Sequence, residues 1–263
     1  MWIDVHAHLS GEEYEALGGI EGLRKRMKAE GVARVIASGY DVDTSITSMR
    51  IAEAHEEIYF CAGFHPSELN RFQEGDWERL IELCRHEKCV AVGEMGLDYH
   101  YENNPEKAVQ KEAFLRQLQI ADEAGLPVVI HSRDAAEDTY EFLCQHRDLL
   151  RHGGLMHCYS YSPEMLLRCA ELGLYFSFGG TSTFKNAQKV WASVECVPAD
   201  RILTETDCPY LTPEPYRGVF PNEPKNVRFV AERLAEIRGV SAETIERQVE
   251  ENVKALFKKM AVR

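Results

Sequence analysis

Short, almost unbroken apolar runs alternate along the chain with longer stretches whose apolar residues recur at helical spacing. The runs fall at 3–5, 32–37, 58–62, 90–92, 127–130, 154–156, 174–178 and 202–203. A strand that is apolar at consecutive positions is covered on both faces, as in a parallel sheet flanked by helices. The clearest helix is predicted over 105–124, where Asn104 suits the cap, Pro105 the first turn and Gly125 the stop. Ser162-Pro163 and Gly173 bracket a second helix, and Asp76-Trp77 opens a third that runs to about Glu87. Eight strand-then-helix units predict an α/β fold, a (β/α)8 TIM barrel occupying residues 1–263 as a single domain. A doubly wound open sheet is the competing architecture.

The polar residues discriminate between the two, because they sit at the C-terminal ends of the runs. His6 and His8 end the first, His65 follows the third and Glu94 ends the fourth. His131 ends the fifth, His157 the sixth and Asp207 the eighth. In a closed barrel these ends share one rim, where barrel enzymes keep their active sites. In an open sheet the outer strands could not bring such residues together. Singly, a histidine after an apolar run is ordinarily a hydrogen-bonded core residue, and an acidic residue there ordinarily caps the next helix. Those readings do not explain the recurrence at so many strand ends. His6, His8, Glu94, His131, His157 and Asp207 are too many ligands for one tetrahedral zinc. They suit two divalent ions about 3.5–4 Å apart with a carboxylate between them. His55, His86, His146 and His152 fall in helical stretches or loops, and His100 lies beyond a strand end; these read as structural.

Composition narrows the function. The chain has 263 residues, 44% of them hydrophobic, ample for one large core. No apolar stretch is long enough for a membrane span, and no signal segment opens the chain, which predicts a soluble cytoplasmic protein. The eight cysteines include no Cys-x-x-Cys pair and are expected to be reduced thiols. A formal net charge of -13 excludes broad electrostatic binding to nucleic acid, so any phosphate must be met locally. The cluster Arg24-Lys25-Arg26-Met27-Lys28 reads as the solvated face of the first helix, and Phe178-Gly179-Gly180-Thr181 as a loop.

Several segments then carry a resemblance. They are Ile3-Asp4-Val5-His6-Ala7-His8-Leu9, Gly63-Phe64-His65-Pro66, Val92-Gly93-Glu94-Met95-Gly96-Leu97-Asp98-Tyr99, Ile130-His131-Ser132-Arg133-Asp134-Ala135, His157-Cys158-Tyr159-Ser160, Phe176-Ser177-Phe178-Gly179-Gly180 and Glu205-Thr206-Asp207-Cys208-Pro209-Tyr210-Leu211. In that order they resemble the TatD family of metal-dependent hydrolases, of the amidohydrolase-like superfamily. The resemblance implies phosphodiester hydrolysis at a two-metal site. It places one ion on His6, His8 and Asp207, the other on His131 and His157, with Glu94 as the bridge. It puts His65 near the scissile phosphate, Arg133 and Tyr99 on the rim, and Arg217 with Asn222-Glu223-Pro224 beside or beneath the pocket. Two departures, at Tyr159 and Tyr161 and in the stretched segment 217–222, lie at the mouth and bear on substrate preference.

The expected activity is a deoxyribonuclease, with Asp207, Glu94 and His65 as the catalytic set and His65, Tyr99, Arg133 and Arg217 binding substrate. Asp207 can take a proton from the attacking water, while His65 binds a phosphate oxygen or protonates the leaving group. Tyr99, Tyr159 or Tyr161 could stack bases. Mixed nitrogen and oxygen ligands admit magnesium, manganese, zinc, nickel or iron. DNA is expected as a transient substrate of a monomer, with no stable nucleic-acid partner and no membrane. The alternatives are a hydrolase of a cyclic amide, lactone or other ester on the same barrel, an aminoacyl-tRNA ester hydrolase, and a non-catalytic scaffold. Relatives that open lactones commonly bridge their metals with a carboxylated lysine, and the nearest lysine here, Lys88, lies before the fourth strand.

Overall fold

A computed structural model describes residues 1–260. All eight apolar runs are strands: β1 (Trp2–Ala7), β2 (Val32–Ser38), β3 (Ile58–Ala62), β4 (Cys89–Asp98), β5 (Val128–Arg133), β6 (Gly154–Met156), β7 (Leu174–Phe178) and β8 (Ile202–Thr204). They form one sheet in sequential order with parallel neighbours. Its two edges meet. Thr204 Oγ1 donates to the Ile3 carbonyl at 2.8 Å. Beyond it, the Asp207 N–H donates to the His6 carbonyl at 3.0 Å and the His8 N–H to the Cys208 carbonyl at 2.7 Å. The sheet is thus a barrel, and the open-sheet alternative falls.

The connecting helices are α1 (Gly19–Ala29), α2 (Val42–Ala54), α3 (Asp76–Cys84), α4 (Lys107–Ala124), α5 (Ala136–Gln145), α6 (Pro163–Ala170) and α7 (Gln188–Cys196), with α8 (Val227–Arg238) and α9 (Ala242–Leu256) closing the ring. No helix among the described residues is long and apolar enough to cross a membrane. Ser162 caps α6 through the Met165 N–H as its position predicts. Two other boundaries differ from expectation. Helix α4 starts at Lys107, with Glu106 at the cap position. Asn104 is drawn instead into the turn after β4, where its amide donates to the Asp98 carbonyl at 3.2 Å. Helix α3 stops at Cys84, because the chain then turns into β4, with His86 Nδ1 accepting the Lys88 N–H. The basic cluster on α1 is only partly solvated. Lys25 and Lys28 are exposed, but Met27 is in the core, Arg24 holds Glu57 at 2.7 Å and Arg26 holds Glu223.

The strand that matters most is β4, buried along its whole length. Its register with β5 shifts between Val92 and Met95. Such a bulge re-aims a side chain, and here that side chain is Glu94. The glycines beside it are required. A Cβ on Gly93 would lie 2.4 Å from the Val129 carbonyl oxygen, and one on Gly96 2.0 Å from that of His131, with φ at +147° and +141°.

At the opposite end of β4, Lys88 is buried and its Nζ donates to the carbonyls of Ala52 and His55, both at 2.6 Å, and of Ile58 at 3.0 Å. A cation there also opposes the negative C-terminal end of the α2 dipole. Lys88→Met should cost about 2–3 kcal/mol in a urea denaturation experiment, since it leaves buried carbonyls without their charged donor. The rate of hydrolysis should not change, because Lys88 lies at the far end of the barrel from the rim.

Candidate metal centre

The rim gathers all six predicted ligands around one carboxylate. His6 Nε2 lies 3.3 Å from Glu94 Oε2 and 3.7 Å from Asp207 Oδ1. His8 Nε2 lies 3.6 and 3.4 Å from the same two oxygens. Separations of this size are the edges of a tetrahedron whose centre is about 2.0–2.3 Å from each vertex, the usual distance from nitrogen or oxygen to a divalent ion. The other oxygen, Glu94 Oε1, lies 2.9 Å from His131 Nδ1 and 2.7 Å from His157 Nε2, and those two nitrogens are 3.3 Å apart. Glu94 therefore turns one oxygen to each of two clusters. The buried His6 Nε2 has no hydrogen-bond partner. A buried ring nitrogen without a partner is costly, and an ion would satisfy it. These His, Asp and Glu clusters suit divalent metal.

Three of the four imidazoles also have a hydrogen-bonding neighbour outside the clusters, and the fourth, His157, has a carboxylate nearby. Ser38 faces two of them, with Oγ 3.1 Å from His6 Nδ1 and its carbonyl accepting from His8 Nδ1 at 3.0 Å. That bond puts the His8 proton on Nδ1 and leaves Nε2 as a lone pair for the site. Asp98 Oδ2 lies 3.1 Å from His131 Nε2, and Glu205 Oε1 lies 3.7 Å from His157 Nδ1. Asp4 ties β1 to the segment after β8, accepting from the His6 N–H, the Thr206 N–H and Thr206 Oγ1. These residues were not singled out from the sequence. Asp4 and Glu205 each stand two residues before a candidate ligand, and Asp98 lies in a quoted segment, so spacing could have raised them. Nothing in the sequence flags Ser38, because serine is not a ligand type. Outer partners of this kind hold ring orientation. Asp98→Asn and Glu205→Gln should each weaken divalent-ion binding by about 10–100-fold, measured by calorimetry on the metal-free protein.

The electrostatics agree with a site built for cations. Burial opposes ionisation of Glu94, yet His157, His65 and His6 around it hold its carboxyl well below the usual range. Burial likewise opposes the charge on Asp207, but His8 lowers its pKa. The partner carboxylates overcome the cost of burial at His157, pushed well above its ordinary value by Glu94 and Glu205, and at His131, raised by Asp98 and Glu94. His6 goes down, from burial and then from His157 beside it.

The remaining candidates divide. His65 lines the cleft with Nε2 3.6 Å from Glu94 Oε1. Its Nδ1 accepts the Ser67 N–H at 3.1 Å, so Nε2 carries the proton and faces the site. Burial, and then the neighbouring His131, push its pKa down to about 3. With its proton on Nε2 and its pKa held low, His65 faces the cleft as a neutral hydrogen-bond donor. Arg133 also lines the cleft, donating to the Tyr101 hydroxyl at 3.3 Å. Tyr99 does not reach the cleft. Its hydroxyl donates to Asp138 at 2.8 Å and Lys107 Nζ sits 4.0 Å from its ring centre, so it is fixed between α4 and α5. Arg217 is likewise outside, stacked at 4.0 Å on the Phe184 ring. Asn222 is the residue of that segment that packs beneath the site, donating to the carbonyls of Thr206 and Tyr210 at 3.2 and 2.7 Å. Tyr159 is 2% exposed and donates to the Ser162 carbonyl, while the Tyr161 hydroxyl meets Ser132 and the Ala135 N–H. Neither is a free stacking surface. The aromatic residues that line the cleft, about 790 Å³ in volume, are Tyr40, Tyr101 and Tyr210.

Comparison with known proteins adds four findings. A family model described as TatD related DNase matches residues 3–258. The uncharacterized metal-dependent hydrolase YabD of Bacillus subtilis is 43% identical over 258 residues, covering 98% of this chain and 99% of its own. The 3'-5' ssDNA/RNA exonuclease TatD of Enterobacter lignolyticus is 31% identical over 236 residues, 88% of this chain and 90% of its own. Among solved structures, YJJV, a TatD homologue from Escherichia coli K12, superposes with a TM-score of 0.90 at 28% identity, covering 98% of each chain.

Proposed function

The chain belongs to the TatD family of metal-dependent hydrolases, and from that premise we propose that it is a deoxyribonuclease that hydrolyses phosphodiester bonds with two divalent ions. One observation carries the reading: the two oxygens of Glu94 face separate ligand clusters, His6, His8 and Asp207 on one side and His131 and His157 on the other. Ions held in these clusters supply Lewis-acid polarisation of a phosphoryl oxygen and acidify water at neutral pH. The His65 Nε2–H donates to a phosphate oxygen, and the Arg133 guanidinium holds a second one. The Asp207 carboxylate, kept ionised, accepts the proton of the attacking water. The relative from Enterobacter lignolyticus, named as an exonuclease on single-stranded DNA and RNA, supports a phosphodiester substrate. Catalysis by a monomer that meets DNA only as a transient substrate belongs to the same proposal.

Lactone or cyclic-amide hydrolysis on a carboxylated lysine is disfavoured by the place of Lys88, whose Nζ is engaged by backbone carbonyls at the far end of β4. The test is a substrate panel. Metal-loaded protein is incubated with end-labelled single- and double-stranded DNA, with RNA, with aminoacyl-tRNA and with lactones. Turnover of DNA, abolished by a chelator and restored by added metal, is expected. Turnover of lactones alone would overturn the proposal.

A further inference from the structure

The cleft has two unlike walls on opposite sides of the barrel. The loop after β4 contributes Tyr101 and the end of β5 contributes Ser132 and Arg133, with Ser160 and Thr181 after β6 and β7. The opposite side, from the loops after β8, β1, β2 and β3, contributes Tyr210, Glu13, Tyr40 and Glu68. The first wall offers a guanidinium and hydroxyl donors. The second offers the rings of Tyr210 and Tyr40 beside Glu13 and Glu68, with Arg71 held by Glu68; its carboxylates repel a phosphate but leave a base face free to stack. Tyr210 is 59% exposed, and its ring centre lies 6.4 Å from that of Phe220, itself 62% exposed. Tyr210 lines the cleft, and Phe220, in the stretched segment 217–222, packs beside it.

The charge of the cleft limits how much backbone it can hold. Its lining carries five carboxylates, Glu13, Glu68, Glu94, Asp98 and Asp207, against the guanidiniums of Arg71 and Arg133. Arg71 is paired with Glu68 at 3.0 Å. Among the described residues, Arg133 has no carboxylate partner; it stacks at 5.1 Å on Tyr101. Two divalent ions bring four positive charges, most of which these carboxylates already balance. The remainder suits one phosphodiester, with no basic track to follow a second or third.

We propose that Tyr210 and Phe220 form a nucleobase platform, so that the cleft grips one phosphate electrostatically and reads the neighbouring base of a single strand by stacking. The inference rests on the phosphodiesterase reading above. The interior of a duplex offers no such contact, since its bases are stacked on one another and only the terminal pair presents a face. Because every base has a π-face, the platform is tolerant of sequence.

The experiment uses the metal-loaded protein and single-stranded oligodeoxynucleotides. Tyr210→Ala and Phe220→Ala should each raise KM about tenfold with kcat within about twofold, while Tyr210→Phe restores the wild-type KM. The logarithm of kcat/KM against the logarithm of salt concentration should have a slope near -0.7, the value for a single phosphate on a single strand. Unchanged KM in both alanine variants, or a slope steeper than about -2, would overturn the platform while leaving the nuclease reading intact. Absence of turnover on any nucleic acid, with turnover of simple esters, would overturn the nuclease reading itself.

Discussion

Glu94→Gln should lower the rate of hydrolysis on the order of a thousandfold or more, with the fold intact. The amide has nearly the shape of the carboxylate, so the bulge in β4 and the packing around it persist. What changes is the number of ligand atoms. A carboxylate offers lone pairs on both oxygens, whereas an amide offers one oxygen and a nitrogen that only donates. With His6 and His8 facing one oxygen and His131 and His157 the other, glutamine can serve at most one cluster. Bound metal, measured by mass spectrometry on the gel-filtered protein, should fall from two ions per chain to one or none. Asp207→Ala should also remove activity but retain the His131–His157 ion, because it strips only the first cluster. A Glu94→Gln variant with two bound ions and more than a tenth of the wild-type rate would show that Glu94 does not join the clusters.

The second large effect is on stability. Removal of metal should leave a protein whose stability falls as pH rises above about 6.5, and metal should remove the part of that fall that belongs to the rim histidines. The sign follows from the groups. His157, His131 and His8 have folded pKa values above the ordinary 6.5, through Glu94 and Glu205, Asp98, and Asp207 respectively, all against the cost of burial. A raised folded pKa contributes stability that is complete below the unfolded value and is lost as pH rises through the folded one. Asp4, pushed by burial to about 8, acts in the same direction. Glu94 and Asp207 have lowered values, so their contributions are lost only in acid, outside this window. A bound ion takes the place of the protons on the rim histidines, and its affinity rises with pH because those protons no longer compete. The gap in Tm between metal-loaded and chelated protein should therefore widen from pH 7 to pH 9. A constant gap would mean that the histidines do not exchange protons for metal.

Much of this site was legible in the sequence because a parallel barrel turns strand order into spatial order. Each apolar run predicts a strand, each strand end falls on one rim, and ligand types at those ends must meet. His6, Glu94, His131, His157 and Asp207 came together for that reason. What sequence did not show was governed by contacts without a period. Tyr99 follows β4 directly, yet its hydroxyl is captured by Asp138 on α5, outside the cleft. Tyr159 looks like a mouth residue but is folded inward, its ring 5.2 Å from that of Phe176. Arg217 finds the Phe184 ring before it can reach a substrate. Ser38 orients two imidazoles, one through its hydroxyl and one through its carbonyl, and a backbone carbonyl carries no signature in sequence. Asn104 is drawn from its predicted cap into the turn after β4, its amide donating to the Asp98 carbonyl and its backbone N–H to that of Tyr101.

The central claim is that one carboxylate joins two ions, and diffraction from manganese- or zinc-loaded crystals tests it most directly through anomalous scattering. Two peaks are expected about 3.5–4 Å apart, one beside His6, His8 and Asp207 and the other beside His131 and His157, each bound to its own oxygen of Glu94. A single peak, or two peaks with Glu94 bound to only one of them, would contradict the account.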